Sequence, residues 1–263
     1  MNFVCQSEAI FSLNTLAASD RHSVLIHGCQ GCGKTKLAQK YADILNVPDF
    51  QIVSPKVDEI RSVMDTCYNL NNPIVICIEN LDTGVSSASY TLLKFLEEPA
   101  SNVYVIVTCR NINTIPDTIV SRSACVVTSP PTDRDIDCYA NDYNTIKYAK
   151  LKKSLLWRCV RTFTDVETVL NMSPNQVEYF NSLAKLSNFD DSIANMAWAI
   201  GHYPDKTDTP LEIVIRYILE LVNDPYVRRW GIECISELYA HTIASHAAIC
   251  NFLFKSKYLY KHR

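Results

Sequence analysis

Short apolar runs alternate with amphipathic segments along the first half of the chain. The runs occupy residues 23–27, 50–54, 73–78, 103–108 and 124–128. Between them, apolar positions recur at helical spacing over residues 34–45, 57–70 and 86–98. Strands that are apolar throughout and are separated by helices are typical of a parallel sheet covered on both faces. The pattern therefore predicts an α/β fold.

The second half of the chain has a different hydrophobic pattern, because the β-type runs stop after Pro130 and Pro131. Periodicity predicts only helices there, over residues 132–142, 145–162, 174–187, 190–202, 211–223, 226–244 and 246–258. The polar segment 204–210 begins and ends with proline and is predicted to be a linker. We therefore expect an α/β core over residues 1–129, a helical domain over 130–204 and a short helical region over 205–263.

Composition excludes several classes of protein. Hydrophobic residues make up 48% and charged residues 20% of the chain, which excludes a disordered or collagen-like protein. The net charge of −3 means that contact with nucleic acid would need a local patch or a larger assembly. No apolar run approaches the roughly 20 residues that span a bilayer, and the first twenty residues lack a signal-peptide pattern. We expect a cytoplasmic protein with no membrane partner.

The chain contains 11 cysteines, an odd number, and no cluster of Cys or His has zinc spacing. We interpret most of these residues as reduced thiols that act as small buried hydrophobes.

The strongest motif lies between the first predicted strand and the first predicted helix, as G-x-x-x-x-G-K-[ST] requires. It consists of Gly28, Cys29, Gln30, Gly31, Cys32, Gly33, Lys34 and Thr35. Glycines let backbone N–H groups turn toward phosphate oxygens, and the helix N-terminus adds positive charge. Lys34 is expected to reach the β- and γ-phosphates, and the Thr35 hydroxyl to bind Mg²⁺. The motif predicts ATP and Mg²⁺ as cofactors; a glycine-rich turn that happens to carry a lysine is the alternative.

Cys29 and Cys32 also form a C-x-x-C pair at this helix N-terminus, a position where the pKa of a thiol can fall. Both occupy variable positions of the phosphate-loop motif, so a redox role is the weaker interpretation.

The third predicted strand ends at Glu79 and Asn80. In P-loop enzymes an acid at this point holds Mg²⁺, so Thr35 and Glu79 are the predicted metal ligands. Farther along lie the segment LLKFLEEP at residues 92–99, a strand followed by Arg110, and the triplet Ser-Arg-Ser that contains Arg122.

In this order the motifs resemble the AAA+ subunits of DNA polymerase clamp loaders, particularly the bacterial polymerase III delta-prime and gamma/tau subunits. Four segments carry the resemblance, which extends over about residues 7–200: 22–35, 57–65, 92–99 and 115–122. It implies a P-loop AAA+ parallel-sheet core, a helical lid domain and a short collar-like C-terminal helical region. It also implies a subunit of a hetero-oligomeric ring that opens a sliding clamp and places it on primed DNA, with other clamp-loader subunits as partners.

The resemblance also assigns roles to single residues. Arg122 matches the arginine finger that acts on the ATP of a neighbouring subunit, and Arg110 occupies the position of the first sensor. Asn80 stands where active members carry a glutamate, so general-base assistance of order 10²–10⁴ would be missing. The segment 190–193 lacks the second-sensor arginine. We expect an ATPase with impaired intrinsic hydrolysis that acts mainly as an arginine-finger donor.

Two other interpretations stay open. One is a non-catalytic ATP-binding scaffold subunit of a replication complex, which Asn80 favours. The other is a different P-loop ATPase, against which the segment 92–99 argues.

Two groups of basic residues either contact phosphates or are merely solvated. They are the basic C-terminal end and four lysines on a predicted helix, Lys147, Lys150, Lys152 and Lys153.

Overall fold

The computed structural model describes residues 6–19, 21–67, 72–97, 102–184, 210–221, 229 and 232–233. The chain divides into two compact units, of which the first comprises Met1–Asp135 and Thr162–Thr164, and the second Ile136–Arg161 and Asp165–Arg263. The division at residues 130 and 205 that the sequence indicates stays a prediction.

The first unit is built on a five-stranded parallel sheet, which confirms the α/β prediction. The strands are β1 (Ser23–His27), β2 (Asp49–Val53), β3 (Ile74–Ile78), β4 (Val103–Cys109) and β5 (Ala124–Val127). Their order across the sheet is β2-β3-β4-β1-β5, and every pairing is parallel. The three inner strands are almost wholly buried, which explains their uninterrupted apolar sequences. The outer strands β2 and β5 keep exposed residues.

Helices cover both faces of this sheet. They are α1 (Ser7–Ala17), α2 (Lys34–Leu45), α3 (Val57–Cys67), α4 (Ser86–Glu97) and α5 (Asp117–Val120). Val24 and Ile26 of β1 pack in one core with residues of α1 and α2, whereas Leu25 packs in the other with α3, α4 and α5. This alternation follows from the two-residue repeat of a strand. The sequence analysis did not predict α1.

Helix α2 places the phosphate-loop motif directly before its first turn. It begins at Lys34 and ends at Leu45, as predicted. Asn46 follows in a left-handed conformation with φ 56° and ψ 35°, which asparagine tolerates better than most residues. The N–H groups of Asn46 and Val47 donate hydrogen bonds to the carbonyls of Asp43 and Ala42 in the last turn, and the helix ends there.

Downstream of the sheet, the described elements are all helical. They are α6 (Asp133–Leu151), α7 (Leu155–Arg158), α8 (Phe163–Asn171), α9 (Pro174–Ala184) and α10 (Pro210–Leu221). Asn144, with φ −158° and ψ 87°, interrupts α6 where the sequence predicts a break. The helix predicted over 145–162 is wrong beyond Leu151. There the Ser154 side chain accepts a hydrogen bond from the Trp157 N–H and starts a separate short helix.

The helices predicted over residues 190–202, 226–244 and 246–258 lie outside, or almost wholly outside, the described residues. Within the described ranges, no helix has the length and apolar character needed to cross a membrane.

An ion pair fastens α10 to α8 inside the second unit. Arg216 Nη1 lies 2.7 Å from Asp165 Oδ2, and both side chains are largely buried. The same carboxylate oxygen accepts the backbone N–H of Arg161 at 2.9 Å. Removing one partner of such a pair leaves the other charge buried without compensation.

We expect Asp165→Ala to lower the free energy of unfolding by about 3 kcal/mol, because the buried Arg216 guanidinium would lose the carboxylate that compensates its charge. Urea denaturation measures the effect. Glu59→Ala is the control, since it removes the exposed pair with Lys56 and is expected to change stability little. Equal losses in the two variants would contradict the prediction.

Candidate nucleotide-binding site

The loop between β1 and α2 needs glycine at specific positions. Gly28, Gly31 and Gly33 have φ values of 148°, 72° and 88°, which side-chain-bearing residues rarely adopt. A Cβ atom on Gly28 would lie 2.1 Å from Thr128 Oγ1, and one on Gly31 would lie 2.6 Å from Thr162 Cβ. Thr128 and Thr162 therefore leave no room for side chains at Gly28 and Gly31, and the loop backbone takes the glycine conformations that turn N–H groups toward a phosphate, as in a phosphate cradle.

Neighbouring segments anchor the loop on several sides. The Gly28 N–H donates to the carbonyl of Cys109 at the end of β4 (3.2 Å), and the Phe163 N–H donates to the Gly31 carbonyl (3.0 Å). The Gln6 amide donates to the carbonyls of Cys32 and Ser129. Within the loop, Cys29 and Gln30 are exposed. The loop is thus held by the sheet and by segments distant in sequence.

Lys34 is the one charged residue of the motif and is only 7% exposed. Its Nζ donates to the carbonyl oxygens of Gly28 and Cys29, each at 2.8 Å. A buried ammonium requires such acceptors. The side chain therefore runs back along the loop and brings its charge into the cradle, where the sequence predicts phosphates.

The two predicted metal ligands are in contact. The Thr35 hydroxyl donates a hydrogen bond to Glu79 Oε1, although 44 residues separate them in the chain. A hydroxyl and a carboxylate at one point are the hard oxygen donors that Mg²⁺ prefers. Together with the glycine cradle and Lys34, this donor set fits a nucleoside triphosphate with magnesium.

Asn80 has a conformational reason to be asparagine. It follows β3 with φ 52° and ψ 53°, in the left-handed region that asparagine tolerates. Its N–H donates to Thr108 Oγ1 at 2.9 Å, which ties the end of β3 to β4. The amide side chain carries no carboxylate to accept a proton from water.

The sequence analysis missed Asp82, which lies in the short turn Leu81–Thr83 after β3. Its Oδ2 accepts the backbone N–H of Arg110 at 3.1 Å, across the ends of β3 and β4. The sequence signal that could have identified Asp82 is its position three residues after Glu79, just beyond the end of the same strand.

Arg122 makes its ion pair and hydrogen bond with residues outside the phosphate loop. Its Nη2 lies 2.9 Å from Glu97 Oε1, and its Nη1 donates to the Thr118 carbonyl at 2.9 Å. The Arg122 side chain is 38% exposed. Glu97 belongs to the segment 92–99, so two motifs of the sequence analysis meet in one ion pair.

Comparison with known proteins finds a partial sequence match and a similar fold. The family model "DNA polymerase III, delta subunit" matches residues 44–132. The fold matches a DNA polymerase III gamma subunit-related protein from Thermotoga maritima, with a TM-score of 0.59, 14% identity, and coverage of 95% of this chain and 98% of that one. The chain therefore shares the fold of that gamma subunit-related protein.

Other similarities are more distant. The family model of magnesium chelatase subunit ChlI matches residues 1–75. The Thermotoga maritima RuvB Holliday junction branch migration motor aligns with a TM-score of 0.46 and 13% identity, over 83% of this chain and 90% of that one. No curated protein matches the chain in sequence.

The Cys29 thiol of the phosphate loop is not activated. Cys32 is buried and its Sγ lies 2.8 Å from Thr128 Oγ1. Burial raises the pKa of Cys29 to about 11, and the neighbouring Cys32 adds to the shift while Lys34 opposes it. A thiol with a raised pKa is protonated at neutral pH and is a poor nucleophile, which argues against the redox interpretation.

Two of the four predicted surface lysines are engaged inside the second unit. Lys147 Nζ donates to the Leu170 carbonyl at 2.8 Å, and Lys152 Nζ lies 3.1 Å from Asp137 Oδ2. Because Lys147 and Lys152 are engaged in these contacts, fewer lysines of this helix are available to bind phosphate. The basic C-terminal end lies outside the described residues.

We expect alkylation of Cys29 by iodoacetamide to be slow at pH 7 and to keep accelerating up to about pH 11, because only the thiolate reacts. Mass spectrometry of the peptide that contains Cys29 follows the reaction, with glutathione in the same tube as the reference. A rate that levels off below pH 8 would show an activated thiol and would restore the redox interpretation.

Proposed function

We propose that this protein binds ATP with Mg²⁺ in its phosphate loop and serves as a clamp-loader subunit in DNA replication. The observation that carries the proposal is the convergence of buried Lys34, the glycine cradle and the Thr35–Glu79 contact at one end of the sheet. Lys34 would neutralise the β- and γ-phosphates, and Thr35 and Glu79 would hold the metal. Magnesium would supply charge neutralisation at those phosphates.

The proposal includes slow hydrolysis by the isolated chain. Asn80 occupies the position of the usual general base and cannot accept a proton, which removes assistance of order 10²–10⁴. Its left-handed backbone conformation suits asparagine. The residue is therefore compatible with a subunit that binds nucleotide for long periods.

We further propose that Arg122 acts on the nucleotide of a neighbouring subunit. Its guanidinium is partly exposed and its partner Glu97 is 51% exposed. Ion pairs at the surface contribute little free energy, so a neighbour's phosphates can displace Glu97 at low cost. The partners in this proposal are other clamp-loader subunits, a sliding clamp, and primed DNA through the assembly, in the cytoplasm.

A second candidate function is a non-catalytic scaffold in which ATP is a structural cofactor. Asn80 favours it, because loss of the general base abolishes efficient turnover without affecting the phosphate cradle. In that case nucleotide would stabilise the protein, while hydrolysis by the assembly would not depend on Lys34.

We expect the isolated protein to bind ATP·Mg²⁺ and Lys34→Ala to weaken binding by about 10- to 100-fold, because charge-assisted hydrogen bonds are lost. Isothermal titration calorimetry measures the affinity. Lys40→Ala, on the same helix but outside the motif, is the matched control. No detectable binding by the unmodified protein would refute the proposed function.

We expect Arg122→Ala to leave ATP binding by this chain unchanged and to lower hydrolysis by a reconstituted clamp-loader assembly by about 10³-fold or more, as for other trans-acting arginines. The assembly is assayed with sister loader subunits, sliding clamp and primed DNA. Arg134→Ala, an exposed arginine of the same unit, is the control. Equal rates for both variants would favour the scaffold function.

A further inference from the structure

Two buried polar atoms near the proposed nucleotide site have no hydrogen-bond partner among the described residues. They are Asp82 Oδ1 and Arg110 Nε, an acceptor and a donor. The other carboxylate oxygen of Asp82 accepts the Arg110 backbone N–H at 3.1 Å, so the two residues are adjacent. Unsatisfied buried polar atoms are rare in native proteins and call for a ligand or an ordered water.

The sheet places this pair beside the phosphate loop. Cys109 is aligned with His27 in the pairing of β4 with β1, and its carbonyl accepts the Gly28 N–H. Arg110 is therefore the next residue after the one that anchors the start of the loop. Asp82 reaches the same position from the neighbouring strand β3 through its bond to the Arg110 N–H.

The electrostatics of Cys109 support the same placement. Burial and, to a lesser extent, the negative charge of Asp82 raise the pKa of its thiol to about 12, while the ammonium of Lys34 opposes the rise. Both charges therefore act on one side chain. Asp82 lies in the neighbourhood of the lysine that is proposed to bind the terminal phosphates.

A water molecule has the hydrogen-bonding groups that these two atoms lack. Water donates to a carboxylate oxygen and accepts from a guanidinium N–H, and a buried water typically needs about two to four polar partners. We propose that Asp82 Oδ1 and Arg110 Nε hold the water that attacks the γ-phosphate, so that Asp82 is the catalytic base in place of Asn80. This inference rests on the proposed binding of ATP, and it makes Asp82 the source of the slow hydrolysis.

The step balances without another reactant. Asp82 Oδ1 accepts a proton as the water oxygen bonds to the γ-phosphorus, and the bond from that phosphorus to the β-phosphate oxygen breaks with its electron pair on ADP. Asp82 then returns the proton to solvent. Arg110 keeps the water oriented and offsets the charge on the transferred group.

The first experiment needs no turnover. A crystal structure of the protein without nucleotide, at a resolution that shows ordered water, should place a water within hydrogen-bonding distance of Asp82 Oδ1 and Arg110 Nε. A direct ion pair between these two side chains, or a pair without the water, would overturn the proposal.

The second experiment compares Asp82→Asn with Asp58→Asn, the same chemical change at an exposed position of α3. Asparagine at position 82 still accepts the Arg110 N–H but is not a base. We expect the single-turnover rate of ATP hydrolysis to fall by about 10²-fold in Asp82→Asn only. The affinity for ATP and the melting temperature should match those of the control.

Each other result counts against the inference. An unchanged hydrolysis rate in Asp82→Asn, or no hydrolysis by the unmodified chain above the Lys34→Ala background, removes the role of base. A matching loss of ATP affinity or of melting temperature assigns Asp82 a structural role. In all these cases the unmodified protein still binds ATP, whereas failure of the proposed function would abolish that binding.

Discussion

The close approach of the phosphate loop to its two neighbouring strands is the constraint on which the rest of the site depends. Gly28 leaves β1 between β4 and β5, bonded to the Cys109 carbonyl on one side and against Thr128 on the other. No side chain fits there, so the backbone itself faces the site. This turn leads directly into α2 and thereby fixes where Lys34 and Thr35 lie.

The charged groups of the first unit differ in how firmly they are held. Lys34 is buried and bonded to loop carbonyls, whereas the pair of Arg122 and Glu97 lies at the surface. Electrostatic attraction is strong where water is excluded and weak where water competes. The buried lysine therefore suits tight binding within one chain, and the exposed arginine suits exchange between partners.

The buried cysteines that the structure describes contribute volume rather than chemistry. Cys77 and Cys109 lie wholly buried in the inner strands, and burial raises the pKa of each thiol to about 12. Thiols in such surroundings stay protonated and pack as small apolar groups. Burial thus explains part of the large number of cysteines in the composition, and the free Cys159 of the second unit is buried as well.

The sequence by itself determined the five strands, the helix that begins at Lys34, and the residues of the phosphate loop. These features depend on local periodicity and on the few residue types that a tight glycine turn accepts. The sequence did not indicate α1. Over residues 145–162 the predicted helix is interrupted, because the Ser154 side chain caps a separate short helix. Only the tertiary structure brought Glu97 to Arg122 and Asp82 to Arg110, because those contacts join segments whose separation in sequence carries no information about distance. The neighbouring positions of β3 and β4 bring Asp82 to Arg110, and the packing of α4 and α5 in one core brings Glu97 to Arg122. Both arrangements are decided by the packing of the whole sheet and its helices.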